Sequence, residues 1–213
     1  MIRLLLVRHG TTAWNRKGRY QGQSDVPLDE TGMQQALALR SRLAREEIGA
    51  IYASDLQRAW QTASAIAAPH SLAVRPEPRL REIDFGIWDG LTYSEIERRY
   101  PEVLAAWEAD PLNTAPHRGE SLGQVSARVR VALDDIARVH EGRTVVLVAH
   151  GGSLQVVLCL ALGLVPKARW QFRLSAASLS ELQLYEGGAV LTRLSDCSHL
   201  VVPFPGHSDV APC

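Results

Sequence analysis

The stretch Ile2-Arg3-Leu4-Leu5-Leu6-Val7-Arg8-His9-Gly10-Thr11-Thr12 joins an apolar run of strand length to a polar turn. A segment apolar at nearly every position suits a strand covered on both faces, as in a parallel sheet held between helices. Thr144 to Ala149 repeats the pattern and ends in His150-Gly151-Gly152. Ile48 to Ala53 gives a third strand, running into Ser54-Asp55, and Leu72 to Val74 a weaker fourth.

Helical periodicity fills the intervals. After Asp29-Glu30-Thr31-Gly32, the expected apolar stripe is Met33, Ala36, Leu37 and Leu43, with Gln34, Gln35, Arg40, Arg42 and Arg45 mainly off it. Ser54 is the expected N-cap of a second helix carrying Leu56, Ala59, Ala63 and Ile66. A third starts near Ser121 and places Leu122, Val125, Val129, Leu133, Ile136 and Val139 at three- and four-residue spacing. Ser153 is expected to cap a fourth, apolar on nearly all sides and therefore buried. Ser178 to Tyr185 and Ala189 to Leu194 alternate around Glu186-Gly187-Gly188, the pattern of a hairpin. These elements predict an α/β fold, a three-layer α/β/α arrangement with a mostly parallel central sheet and an antiparallel edge hairpin.

Composition bounds the partners. The 213 residues are 46% hydrophobic and 22% charged, the usage of a globular domain with its own core. Residues 1–200 are expected to form one domain, and 201–213, with three prolines and no periodicity, a loose tail. Lys plus Arg (23) cancels Asp plus Glu (23), which argues against nucleic acid or an acidic membrane as partner. Any anion site must be local. Cys159, Cys197 and Cys213 form no Cys-x-x-Cys pair and read as reduced thiols of a cytoplasmic protein. No signal peptide is expected, because the first apolar run is too short for one. His150 to Ser153 splits Val145 to Val165, the most membrane-like stretch, so no membrane span is expected either. The sequence leaves a homodimer open.

In open parallel sheets, ligands bind beyond the carboxyl ends of the strands. Three such ends here deliver Arg8 and His9, then His150, and then Arg58 in the first turn of a helix. Two guanidiniums match the oxygens of a phosphoryl group, and two imidazoles can donate a hydrogen bond or attack. Taken singly, each histidine reads as a hydrogen-bonded packing residue; the shared placement is what points to chemistry. No His-Glu-x-x-His or comparable spacing is present, so neither metal nor cofactor is expected. Trp14, Trp88, Trp107 and Trp170 read as core or rim residues, and His70, His117, His140, His199 and His207 receive no role.

The run Leu6-Val7-Arg8-His9-Gly10-Thr11-Thr12-Ala13-Trp14-Asn15 resembles the signature of the histidine phosphatase superfamily, also called phosphoglycerate mutase-like. The likeness continues through Tyr20-Gln21-Gly22, Leu28-Asp29-Glu30-Thr31-Gly32, Ser54-Asp55-Leu56-Gln57-Arg58-Ala59 and Thr62-Ala63. It resumes at Leu80-Arg81-Glu82-Ile83-Asp84-Phe85-Gly86, Gly119-Glu120-Ser121-Leu122 and Val148-Ala149-His150-Gly151-Gly152, all in order.

The resemblance implies that His9 is a nucleophile that becomes phosphohistidine, with Arg8, Arg58 and His150 clamping the phosphoryl oxygens. Asn15, Thr12 and the backbone around Gln21-Gly22 and Gly151 would add donors, although a turn after a strand favours residues such as Thr11 and Thr12 anyway. Glu82 would protonate the leaving oxygen, with Asp84 as its rival; without the resemblance Glu82 reads as a surface residue after Arg81. Glu120-Ser121 reads first as a helix cap.

The family's cofactor-dependent mutases carry a long basic insertion after the glutamate segment, whereas Val103 to Pro116 here is short, and Gln21 stands where they usually have Thr. The expected function is therefore a phosphomonoesterase for a small phosphorylated metabolite: a phosphoglycerate type, a sugar phosphate or a ribazole phosphate. The segment from Trp88 to Arg118 would set that choice, and Arg98, Arg99, His117 and Arg118 read equally as anion contacts or as solvated surface. Alternatives are a cofactor-dependent phosphoglycerate mutase, a metal hydrolase using His9 and His150, and a non-catalytic phosphate-binding interaction protein.

Overall fold

In a computed structural model, residues 1–200 are described; the tail expected at 201–213, with Cys213, lies outside the described residues. The elements run β1 (Ile2–Arg8), α1 (Ala13–Arg16), α2 (Glu30–Leu43), β2 (Ala50–Ala53), α3 (Gln57–Ala67), β3 (Val74–Pro76), α4 (Tyr93–Arg99), α5 (Pro101–Ala109), α6 (Leu122–Val139), β4 (Thr144–Ala149), α7 (Gly151–Ala161), β5 (Leu179–Tyr185) and β6 (Gly188–Asp196). The six strands make one sheet in the order β3-β2-β4-β1-β5-β6. The first four are mutually parallel, while β5 and β6 add antiparallel at one edge. The mostly parallel sheet with an edge hairpin is thus present.

Side-chain alternation along the strands divides the interior in two. Leu4 and Leu6 of β1, with Val145 and Leu147 of β4, pack against α6 and α7. Leu5 and Val7, with Val146 and Val148, pack against α2 and α3. Both faces are therefore dry over residues 4–7 of β1 and 145–149 of β4, which is why those stretches are apolar without a break in period. Trp88, Ile96, Leu104 and Trp107 close the first core, drawing the whole segment from residue 86 to 109 onto the sheet, and Trp88 meets Trp107 edge-on at 5.5 Å. Among the described residues no helix is long and apolar enough to cross a membrane.

Several local expectations need correction. Met33 and Leu37 are solvent-exposed, and α2 instead buries Gly32, Gln35, Ala36, Leu39 and Leu43. The helix is turned so that the Gln35 amide meets the loop after β1, where its Oε1 accepts from the backbone N–H of Thr11 at 2.8 Å. A polar contact has prevailed over the apolar count. Ser54 does not cap α3, whose first residue follows Leu56, and Ser153 sits inside α7, whose N-cap is His150. The fourth strand lies two residues later than expected, at Val74–Pro76. Val139, at the end of α6, is exposed, and so is Trp170.

Candidate active site

Because β1, β2 and β4 are neighbours and parallel, their carboxyl ends fall on one edge of the sheet. Arg8 lies opposite Ala149, and Ala53 opposite Val148, so the residues that follow each strand emerge side by side. The ladder runs one residue further on each side: His9 N–H donates to Ala149 O at 3.0 Å, and Ser54 N–H to Val148 O at 3.0 Å. His9 and His150 consequently meet with ring centroids 5.1 Å apart.

Hydrogen bonds fix the role of each ring nitrogen. His9 Nδ1 lies 2.7 Å from the carbonyl oxygen of Gly10. A carbonyl only accepts, so Nδ1 carries the proton and Nε2 keeps its lone pair. Burial, then the charges of Arg58 and Arg8, push the His9 imidazole well below its ordinary 6.5, so it is neutral at pH 7. His150 is fully buried and lowered in the same direction, by burial first and Arg58 second. Its Nδ1 accepts from Arg58 Nε at 3.2 Å, which leaves Nε2–H to donate to Ser54 Oγ at 2.8 Å. Both nitrogens of His150 are thus engaged by the protein, Nδ1 with Arg58 and Nε2 with Ser54. Ser54, expected as a cap, is the group that holds His150.

Arg58 is fully buried and makes three donations: to His150, to Ser24 O at 2.8 Å and to Gly22 O at 2.7 Å. Burial lowers it to about 10, opposed by Glu82, Asp25 and Asp89, so it stays charged at neutral pH. A guanidinium has more N–H groups than these partners use, leaving Nη hydrogens for a ligand. Arg8 donates from Nη1 to Leu174 O at 2.5 Å.

Glu82 is nearly buried and reaches the N-terminus of α7. Its Oε2 accepts from Gly152 N–H at 3.0 Å, and its Oε1 from Ser153 N–H at 3.2 Å and Ile83 N–H at 2.9 Å. Amides at a helix start are unpaired within the helix and favour an anion, which accounts for this placement. Gly152 makes it feasible, since a Cβ there would stand 2.4 Å from Glu82 Oε1. Gly151 lies between the two charges: its Cβ would be 3.6 Å from Arg8 Cζ and 3.8 Å from Glu82 Oε2. Arg8, His9, Arg58, Glu82, His150 and Gly151 are thus brought together at the carboxyl edge of the sheet.

The other expected donors sit beside it. Thr12 caps α1 in a reciprocal pair with Asn15, whose Oδ1 accepts from Thr12 N–H at 3.1 Å. The Thr12 hydroxyl lies 2.7 Å from Gln21 Oε1, and the buried Gln21 Nε2 has no protein partner among the described residues. A held amide with an unused N–H₂ is a donor waiting for an acceptor. Asp84, the rival acid, accepts from Gly86 N–H at 2.9 Å. Glu120 pairs with Arg128 at 2.8 Å while Ser121 caps α6. Arg98, Arg99, His117 and Arg118 are exposed. Among the described residues no group of three or more His, Cys, Asp or Glu converges so as to hold a metal ion.

The sequence pattern describing the histidine phosphatase superfamily, branch 1, matches residues 4–197. The chain belongs to this family. Phosphoserine phosphatase 1 of Hydrogenobacter thermophilus is 38% identical over 94% of this chain and 95% of its own. A probable phosphoglycerate mutase of Yersinia enterocolitica is 37% identical, over 95% of this chain and 97% of its own. Among solved structures, a mycobacterial glucosyl-3-phosphoglycerate phosphatase complexed with VO3 superposes with a TM-score of 0.82 at 35% identity, covering 91% of this chain and 98% of its own. Histidine phosphatase relatives of both hydrolase and mutase name therefore share nearly the whole length of the chain.

Proposed function

We propose that the protein is a metal-independent phosphomonoesterase that transfers the phosphoryl group of a small metabolite to His9 and then to water. The observation that carries the reading is the state of His9: a buried, neutral imidazole whose Nδ1–H is tied to Gly10 O, with Nε2 unprotonated beside two arginines. The Nε2 lone pair attacks phosphorus as the bond to the ester oxygen breaks. Arg8 and Arg58 offset the charge on the phosphoryl oxygens without having to move, which is the electrostatic contribution expected to dominate. Gln21 Nε2, held through its Oε1 by the Thr12 hydroxyl and without a protein partner of its own among the described residues, adds a neutral donor.

Glu82 passes its proton to the leaving oxygen as general acid. In the second half-reaction Glu82 takes the proton of a water that attacks phosphorus. The P–N bond then breaks, its electron pair returns to Nε2, and inorganic phosphate leaves.

Hydrolysis is favoured over mutase action because the 103–116 segment is short and adds no basic residue between Val103 and Pro116. The test is to incubate the protein with phosphoserine, a glucosyl phosphoglycerate, 3-phosphoglycerate and sugar phosphates, with and without a bisphosphate primer and with EDTA. Release of inorganic phosphate without primer and undiminished by EDTA is expected. Strict primer dependence would make the protein a mutase, and loss of activity on chelation would make it a metal hydrolase.

A further inference from the structure

The loop from Tyr20 to Ser24 presents the two carbonyls that receive Arg58. The loop is fastened to the segment that follows Glu82. Tyr20 N–H donates to Leu91 O at 2.8 Å and Gly90 N–H to Tyr20 O at 2.9 Å, a short antiparallel pairing that also joins Arg19 to Thr92. Beyond Tyr20 the backbone pairing stops, and one side chain continues it. Asp89 Oδ1 accepts from Gly22 N–H at 2.8 Å, while Oδ2 accepts from Ser24 N–H at 3.0 Å and from the Ser24 hydroxyl at 2.7 Å.

Gly22 and Ser24 are the same residues whose carbonyls accept from Arg58 Nη2 and Nη1. Gly22 also has no room for a side chain: a Cβ would lie 2.6 Å from Asp89 Oδ1 and 2.7 Å from Ile83 O.

We propose that Asp89 is a positioning residue for phosphate binding, holding the Gly22 and Ser24 carbonyls at the spacing that aims Arg58 into the pocket. A carboxylate suits the task because it accepts at both oxygens, whereas an amide would accept at one and set an N–H₂ against an N–H. The same contact ties the Arg58 loop to the segment bearing Glu82, so the clamp and the acid are set from one point. The assignment rests on the proposed phosphoryl chemistry only in taking phosphate as the ligand.

Binding of inorganic phosphate and of orthovanadate, measured by calorimetry, requires no turnover and so separates the two claims. Asp89→Asn is expected to weaken binding about tenfold, equivalent to about 1.4 kcal/mol, and Asp89→Glu to restore part of the loss. In an Arg58→Lys background, Asp89→Asn is expected to change affinity less than about twofold, since coupled residues do not add. Equal losses in both backgrounds, or unchanged affinity in Asp89→Asn with only a lowered Tm, would overturn the assignment. Wild-type protein that binds phosphate but forms no phosphohistidine would sink the catalytic reading and leave the Asp89 result standing on its own.

Discussion

The residue with most depending on it is Gly152. It lets the Glu82 carboxylate close on the start of α7, where a methyl group would stand 2.4 Å from Oε1 and 2.8 Å from Ile83 Cδ1. Gly152→Ala should expel Glu82 from its place while sparing His9. We expect kcat to fall about 10²-fold, the scale of a lost general acid, with phosphate affinity changed far less. The check is steady-state kinetics beside phosphate titration; an unchanged kcat would show that Glu82 does not act from this position. At this scale the sequence carried much of the site. Arg8, His9, Arg58 and His150 follow strands or open a helix, so their convergence could be read from topology alone. Asp89, Ser54 and Gln35 could not, because their partners lie far along the chain and no period marks them.

Among the elements, α2 shows where pattern reading stops. An apolar count turns Met33 and Leu37 inward, yet both are exposed and Gln35 is buried. Gln35 Oε1 accepts from Thr11 N–H at 2.8 Å and from the Thr11 hydroxyl at 3.0 Å, pinning the loop that leaves His9. An unpaired amide costs more than one more buried methyl group gains. Gln35→Leu, although more apolar, is therefore expected to destabilise the protein by about 1–3 kcal/mol, read as a lower midpoint in urea; a stabilised variant would contradict this account of the helix's rotation. The strands were legible for the opposite reason. Residues 4–7 of β1 and 145–149 of β4 are dry on both faces and therefore apolar at every position, a signal that periodicity alone can carry. In α7 the cap slipped from Ser153 to His150 because strand β4 ends at Ala149 and the helix begins at once.

For the molecule as a whole, the site sets a pH dependence of stability. His9 and His150 are buried as neutral rings, with folded values well below the ordinary 6.5. The unfolded chain binds protons that the folded one refuses, so the contribution is intact above about 6.5 and is lost as pH falls below it. Tm should drop between pH 7.5 and pH 5.5, before carboxylates titrate, and His9→Asn should flatten that slope. A Tm indifferent to pH over this window would mean that the rings are accessible when charged.

The same two histidines, with Arg8 and Arg58, sit at the carboxyl edge of neighbouring parallel strands, which is why fold and chemistry were readable together. The central claim is a transient bond between phosphorus and His9 Nε2. Rapid-quench labelling with a radioactive phosphomonoester, followed by peptide mapping, tests it most directly. An acid-labile, base-stable phosphoryl group on the peptide containing His9, absent in His9→Ala, is the predicted result. Phosphate release by the wild-type protein with no such adduct at any time point would contradict it.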